Sequence, residues 1–161
     1  MGEVAGALRE GLGRLLGTPV GVLVARVLVL PLDRLVHRLS GGRLLFANAF
    51  FPTLVLTTTG ARSGLPRSAP LIYARAGPAF VVLASNYGGA SHPAWYHNLR
   101  ANPACTVVVG GRTVHCIARE ADGAERDELW RRAERIYAAY RAYEASAGGR
   151  RIPVVVLEPA G

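Results

Sequence analysis

Apolar and polar positions change their rhythm near residue 52. Before it, apolar residues recur at helical spacing. A weak, glycine-diluted helix is predicted over 4–16. Thr18 and Pro19 then form a helix start, a capping residue followed by Pro at the first position. That helix is expected to run toward Leu39, with a kink at Pro31 and a stop at Gly41 and Gly42. Beyond residue 52 the chain breaks into short runs rich in β-branched residues. These predict strands over 53–59, 67–75 and 79–85, with a loop over 60–66 and a turn at Gly77 and Pro78. A glycine loop over 86–91 leads to His92 and Pro93, which open a short helix to about Arg100. Strands over 105–109 and 112–119 flank Gly110 and Gly111 as a hairpin. Asp122 with Glu125 reads as a capping box for one long helix to about Ser146. A last strand covers 151–158.

The order β-β-β-α-β-β-α-β favours antiparallel neighbours. It predicts an α+β fold, a small, partly open β-barrel with helices packed outside it. The chain of 161 residues is long enough for one ordinary domain. It divides into a helical N-terminal segment, 1–50, and a barrel domain, 51–161.

Charge sharpens this picture. All 19 basic residues are Arg, and the formal net charge is +8. Asp33 and Glu120 are consecutive acidic residues, and the 86 positions between them carry nine Arg and all four His. That middle stretch expects an anionic partner. It also excludes a paired-carboxylate mechanism from its strands. No His or Cys spacing suggests a metal. Cys105 and Cys116 sit symmetrically about the hairpin turn, at a hydrogen-bonded pair where side chains lie further apart. Both are read as reduced core thiols, in keeping with a cytoplasmic protein. The apolar run 19–32 holds Arg26 and is too short to span a membrane, and no cleavage site follows it.

Three stretches can carry chemistry. The loop 60–68 offers two glycines, Arg62, Arg67, Ser63 and Ser68, a donor set suited to phosphate or carboxylate. It is neither a phosphate-binding Walker loop nor a dinucleotide fingerprint. The stretch 85–98 sets a glycine loop before a helix start, with Trp95 and Asn98 on one helix face. An aromatic plate and an amide there suit a heterocycle, while Trp95 with Leu99 equally suits a core. Tyr137, Tyr140 and Tyr143 share one broad face of the predicted long helix. A phenol can pack, donate a hydrogen bond or act as a general acid. With no metal cluster and no convincing triad, any redox chemistry falls to an organic cofactor.

Taken together, residues 56–71 (LTTTGARSGLPRSAPL), 84–103 (ASNYGGASHPAWYHNLRANP) and 137–159 resemble the deazaflavin-dependent nitroreductase family. The resemblance spans about residues 52–159 and rests on three blocks that agree in order and spacing. It implies a split β-barrel that binds coenzyme F-420, an 8-hydroxy-5-deazaflavin. It places Ala61, Arg62, Ser63 and Arg67 at the coenzyme's phosphate and polyglutamate tail. Ser68, Ala69 and Pro70 would run beside the coenzyme. Ala84, Ser85 and Asn86 would face the ring, and Ala94, Trp95, Tyr96, His97 and Asn98 would close over it. Tyr137, Tyr140 and Tyr143 would line the pocket of the electron acceptor. Ala61 and Asn86 stand where the family often has basic residues, which removes two positive charges beside the tail.

The implied reaction is hydride transfer to a small organic acceptor such as a quinone, nitroaromatic or activated enone. Ser85 would polarise ring or acceptor, and Tyr137 or Tyr140 would supply a proton. FMN on the same barrel is the runner-up cofactor. A non-catalytic basic module for nucleic acid or anionic lipid is the remaining alternative, and no nucleic-acid partner is expected. Residues 19–39 offer an apolar surface for the core, for a second copy in a homodimer, or for the inner face of the cell membrane.

Overall fold

The computed structural model describes residues 51–161, together with Gly11, Thr18 and Val20. The expected helices over 4–16 and 19–39, and with them the apolar surface, lie outside the described residues. No helix among the described residues is long and apolar enough to cross a membrane.

Seven strands form one antiparallel sheet. They are β1 (Thr53–Thr59), β2 (Pro66–Ile72), β3 (Ala74–Ala76), β4 (Ala79–Leu83), β5 (Ala104–Val109), β6 (Arg112–Glu120) and β7 (Val154–Pro159). Their spatial order is β2-β1-β5-β6-β7-β4-β3. Three helices accompany them: α1 (Ala94–Ala101), α2 (Gly123–Ile136) and α3 (Ala139–Ser146). The edge strands β2 and β3 are consecutive in the chain, so the sheet curls back on itself as a split barrel.

The single strand expected over 67–75 is broken. Tyr73 leaves the ladder, its N–H donating to Pro52 O at 3.1 Å. Its ring packs edge-on against Phe80 at 5.5 Å. This corner carries the chain from pairing with β1 to pairing with β4, which is what closes the barrel at that end. The hairpin follows its glycines. Gly110 and Gly111 have φ of +55° and +75°, the left-handed pair that a two-residue turn between twisted strands demands. The register then places Cys105 opposite Cys116. Both thiols are free and buried.

Strand alternation separates two cores. Leu54, Leu56, Phe80, Val82, Val107, Val155 and Leu157 face the barrel interior, which Trp95, Tyr96 and Leu99 of α1 plug. Val81, Leu83, Val154 and Val156 face outward, under Leu129, Trp130 and Ala133 of α2 and the tyrosines beyond it. Each such buried side chain contributes about 1.5–3 kcal/mol.

Two helical expectations are corrected. The long helix to Ser146 is two helices. Tyr137 adopts extended backbone at the end of α2, with φ −138° and ψ 92°. This turns its ring between Phe51 and Tyr140, each 5.1 Å away between centroids. Buried edge-to-face aromatic packing outweighs continuation of the helix. The capping box does not form either. Asp122 precedes α2 without a side-chain cap. Glu125 instead takes a two-pronged bond from Arg119, both contacts at 2.7 Å, a stronger charge-assisted pairing than a reciprocal cap. The last strand begins at Val154, three residues later than expected.

A candidate cofactor site at the loop end of the barrel

The barrel has two ends. One carries the turns at Gly77 and at Gly110, with the end of β7. The other carries the loops 60–65 and 84–93, α1, and the approach to β7. All three chemistry-bearing stretches arrive at this second end.

The 60–65 loop is shaped by its own backbone. Gly60 N–H donates to Leu65 O at 2.9 Å, and Gly64 N–H to Gly60 O at 2.8 Å. A Cβ at Gly60 would press within 2.6 Å of Ser63 Oγ, so only glycine fits without a shift. Residues 61–68 are exposed. Among the described residues, neither the Arg62 nor the Arg67 guanidinium has a hydrogen-bond or ion-pair partner. Ser68 bonds Thr57 across the strands, Oγ to Oγ1 at 2.9 Å. Ala69 and Pro70 are half-buried further along β2.

Asn98 ties this loop to α1. Its Oδ1 accepts from Ala61 N–H at 3.0 Å. Its Nδ2 donates to Thr58 Oγ1, also at 3.0 Å, and Thr58 Oγ1 in turn donates to Arg67 O at 3.3 Å. Asn98 is 8% exposed. Its amide therefore orients the loop, and no group of it points outward for a heterocycle. Trp95 is likewise packed into the barrel interior. Tyr96 is buried beside it and donates to Glu120 Oε2 at 2.7 Å. Burial, then that hydrogen bond, pushes the Tyr96 phenol up to about 12. Ala94 and His97 are the exposed positions of the first turns.

The second loop begins where β4 ends, at the fully buried Ala84. Ser85 and Asn86 are half-buried, and the Ser85 hydroxyl has no hydrogen-bond partner among the described residues. Asn86 and Tyr87 then take φ of +48° and +54°, two successive non-glycine residues in the left-handed region. Asn86 Nδ2 donates to Ser91 O at 3.0 Å, so the asparagine braces the loop where a basic residue would have projected charge.

The third stretch reaches the same loop. Tyr87 packs edge-on against Tyr143 at 6.1 Å, and Ser146 Oγ donates to Gly88 O at 3.5 Å. Tyr137 and Tyr143 hydroxyls are 2.9 Å apart. Tyr140 packs against both rings, at 5.1 and 6.3 Å. All three tyrosines are buried, and burial above all pushes each phenol upward. They stay protonated at every ordinary pH and can act as hydrogen donors.

Three residues had escaped the sequence reading. Arg150, from the segment before β7, bonds four groups of the 84–92 loop. His92 faces it, its ring tilted 45° against that of Tyr96 at 4.8 Å between centroids. Tyr87 supplies the ring contact to Tyr143. No local pattern marks them, because each acts through a partner tens of residues away or through backbone conformation.

A cavity of about 540 Å³ opens at the opposite end of the barrel, lined by Arg75, Phe80, Val109, Arg112, Val114 and neighbouring residues. No residue of the loop-end site lines it. The donor chemistry at the loop end weighs more than concavity alone, because the three stretches converge there.

The chain is similar to known proteins in sequence and fold. The profile of the F420H(2)-dependent quinone reductase family matches residues 33–159. The F420H(2)-dependent quinone reductase Rv1261c of Mycobacterium tuberculosis is 36% identical over 126 residues, covering 77% of this chain and 79% of the relative. A solved F420-H2 dependent reductase superposes with a TM-score of 0.62 at 37% identity, over 66% of this chain and 94% of that one. Another structure, titled a domain-swapped dimer, superposes with a TM-score of 0.65 at 30% identity, over 88% of this chain and all of that one.

Proposed function

The chain belongs to the F420H(2)-dependent quinone reductase family, and we propose that it holds reduced coenzyme F-420 at the loop end of the barrel to reduce a quinone or a kindred acceptor. Nitroaromatics and activated enones share the needed electrophilic character. One observation carries the placement: Arg62, on the loop that Asn98 fixes to α1, and Arg67, at the start of β2, stand exposed with no acidic partner among the described residues. That donor set fits a phosphate and a carboxylate-bearing tail.

When bound, the reduced coenzyme supplies a hydride. The chain's own residues then have separate tasks. Arg62, Ser63 and Arg67 hold the anionic tail by charge-assisted and neutral hydrogen bonds. Ser68, Ala69 and Pro70 form the strand wall beside it. Ala61 contributes shape only, since its N–H is engaged by Asn98. Ala84, Ser85 and Asn86 border the ring, with the Ser85 hydroxyl available to donate. Ala94 and His97 form the outer rim, while Trp95, Tyr96 and Asn98 support it from within. Tyr137, Tyr140 and Tyr143 border the acceptor side, where the phenol of Tyr137 or Tyr140 would deliver a proton to the reduced product.

Fluorescence titration with reduced and oxidised coenzyme, FMN in parallel, tests this. Saturable binding of F-420 is expected, weakened about tenfold by Arg62→Ala, since a hydrogen bond from a charged group contributes about 1.5 kcal/mol. Tight FMN binding without F-420 binding would overturn the cofactor assignment.

The relative titled a domain-swapped dimer supports a homodimer here, for which light scattering should read twice the 17.1 kDa chain mass. Two free cysteines, buried and facing each other, support a cytoplasmic location.

A further inference from the structure

We propose that Arg150 is a positioning residue, the clamp that holds the Ser85 loop in its working shape. The inference rests on the cofactor placement above, and it concerns a residue with no part in binding the coenzyme itself. Nη2 of Arg150 donates to Ser85 O at 2.7 Å. Nη1 donates to Ala84 O at 3.1 Å and lies 2.9 Å from His92 Nδ1. Nε donates to Gly89 O at 3.0 Å. One planar fork thus grips the loop before, after and beside Asn86 and Tyr87, the two residues in left-handed backbone. No carboxylate pairs with it among the described residues. Its charge is met by carbonyl oxygens and an imidazole, all belonging to this loop.

The arrangement has a mechanical reason. Two successive non-glycine residues at positive φ are disfavoured and relax unless something outside them fixes the chain on both sides. Within the turn the backbone bonds are Gly88 N–H to Ser85 O and Gly89 N–H to Asn86 O, each 3.0 Å, with Asn86 Nδ2 donating to Ser91 O beside them. Ser146 and Tyr143 of α3 touch the turn at Gly88 and Tyr87, whereas Arg150 holds the chain on both flanks of the strained pair, and the carbonyl it grips at Ser85 belongs to the residue whose hydroxyl has no hydrogen-bond partner among the described residues. A lysine cannot replace it, because a single ammonium does not span four acceptors in fork geometry.

The test combines a coenzyme-free readout with kinetics. In wild-type protein without coenzyme, the Arg150 Nε–H should be a resolved, slowly exchanging NMR signal. Exchange as fast as that of exposed arginines would overturn the clamp. In Arg150→Lys, the amides of Gly88 and Gly89 should lose at least tenfold of their hydrogen-exchange protection, while those of Val155 and Val156 keep theirs. Loss spread equally over β7 would mean a general structural role and refute the proposal. With coenzyme and acceptor, Arg150→Lys should lower kcat at least tenfold and change the Kd of oxidised F-420 less than threefold. Unchanged kcat would refute positioning and leave the cofactor assignment standing. A wild-type protein that neither binds F-420 nor turns over would refute that assignment, and the exchange data would still decide the clamp.

Discussion

Replacing Asn98 by Ala should separate the two parts of the loop-end site. The side chain is 8% exposed and makes two bonds of 3.0 Å, one to Ala61 N–H and one to Thr58 Oγ1. Each contributes about 1 kcal/mol net. The truncation also leaves a small void beside Thr58, which is 2% exposed. Thr58 keeps its bond to Arg67 O, and Ala61 is exposed to water, so neither partner is fully orphaned. The loss should total about 2–3 kcal/mol, or about 6–9 °C in Tm for a chain of this length. Because the same amide fixes the loop bearing Arg62, coenzyme affinity should fall as well. Differential scanning calorimetry measures the first effect, and fluorescence titration the second. A Tm within 2 °C of wild type would refute the claim that this amide anchors the loop. A normal Kd with a lowered Tm would confine its role to stability.

Other perturbations probe neighbouring features. Gly88→Ala should destabilise by about 2 kcal/mol or more, since φ is +71° and the new Cβ would strike Ser146 Oγ and the backbone of Tyr143; a normal denaturation midpoint would contradict the tight approach of α3. The His92 imidazole is held below its ordinary value, by burial first and then by Arg150 and His97. The unfolded chain thus takes up this proton before the folded one, and stability from this group should decline as pH falls below about 6.5. An NMR midpoint for His92 at 6.5 would abolish that dependence, and one above 6.5 would reverse its sign. Burial, reinforced by Cys116, pushes the Cys105 thiol up to about 12, and burial raises Cys116 too. Iodoacetamide at pH 8 should therefore label neither until the protein is denatured. Tyr140→Phe should lower turnover if that phenol delivers the proton, and unchanged turnover would remove it from that role.

Much of the strand architecture was legible locally. β1 and the hairpin could be read within a residue because β-branched runs and paired glycines act over short range. Gly110 and Gly111 set the turn, the turn sets the register, and the register places Cys105 opposite Cys116. The basic loop was legible for a similar reason: a stretch without carboxylates cannot neutralise its own arginines, whatever fold it joins. The resemblance of three separated blocks added the family, but it did not say what the individual side chains touch.

Long-range contacts settled the rest. Sequence predicts a strand through Tyr73 and a helix through Tyr137, because nothing nearby opposes either. Packing of each ring against an aromatic residue of another segment, Phe80 of β4 for the half-buried Tyr73 and Phe51 for the buried Tyr137, outweighs the local preference at both sites. Asn98 reads as an amide beside Trp95 that suits a heterocycle until the barrel brings Thr58 and Ala61 to it. Arg150 reads as one more arginine until β7 returns its neighbourhood to the end of β4, more than sixty residues back along the chain. Local pattern determined which elements form and where charge accumulates. Tertiary structure decided which polar groups lose water and must find partners, because desolvation depends on the whole enclosure and not on the residues beside them.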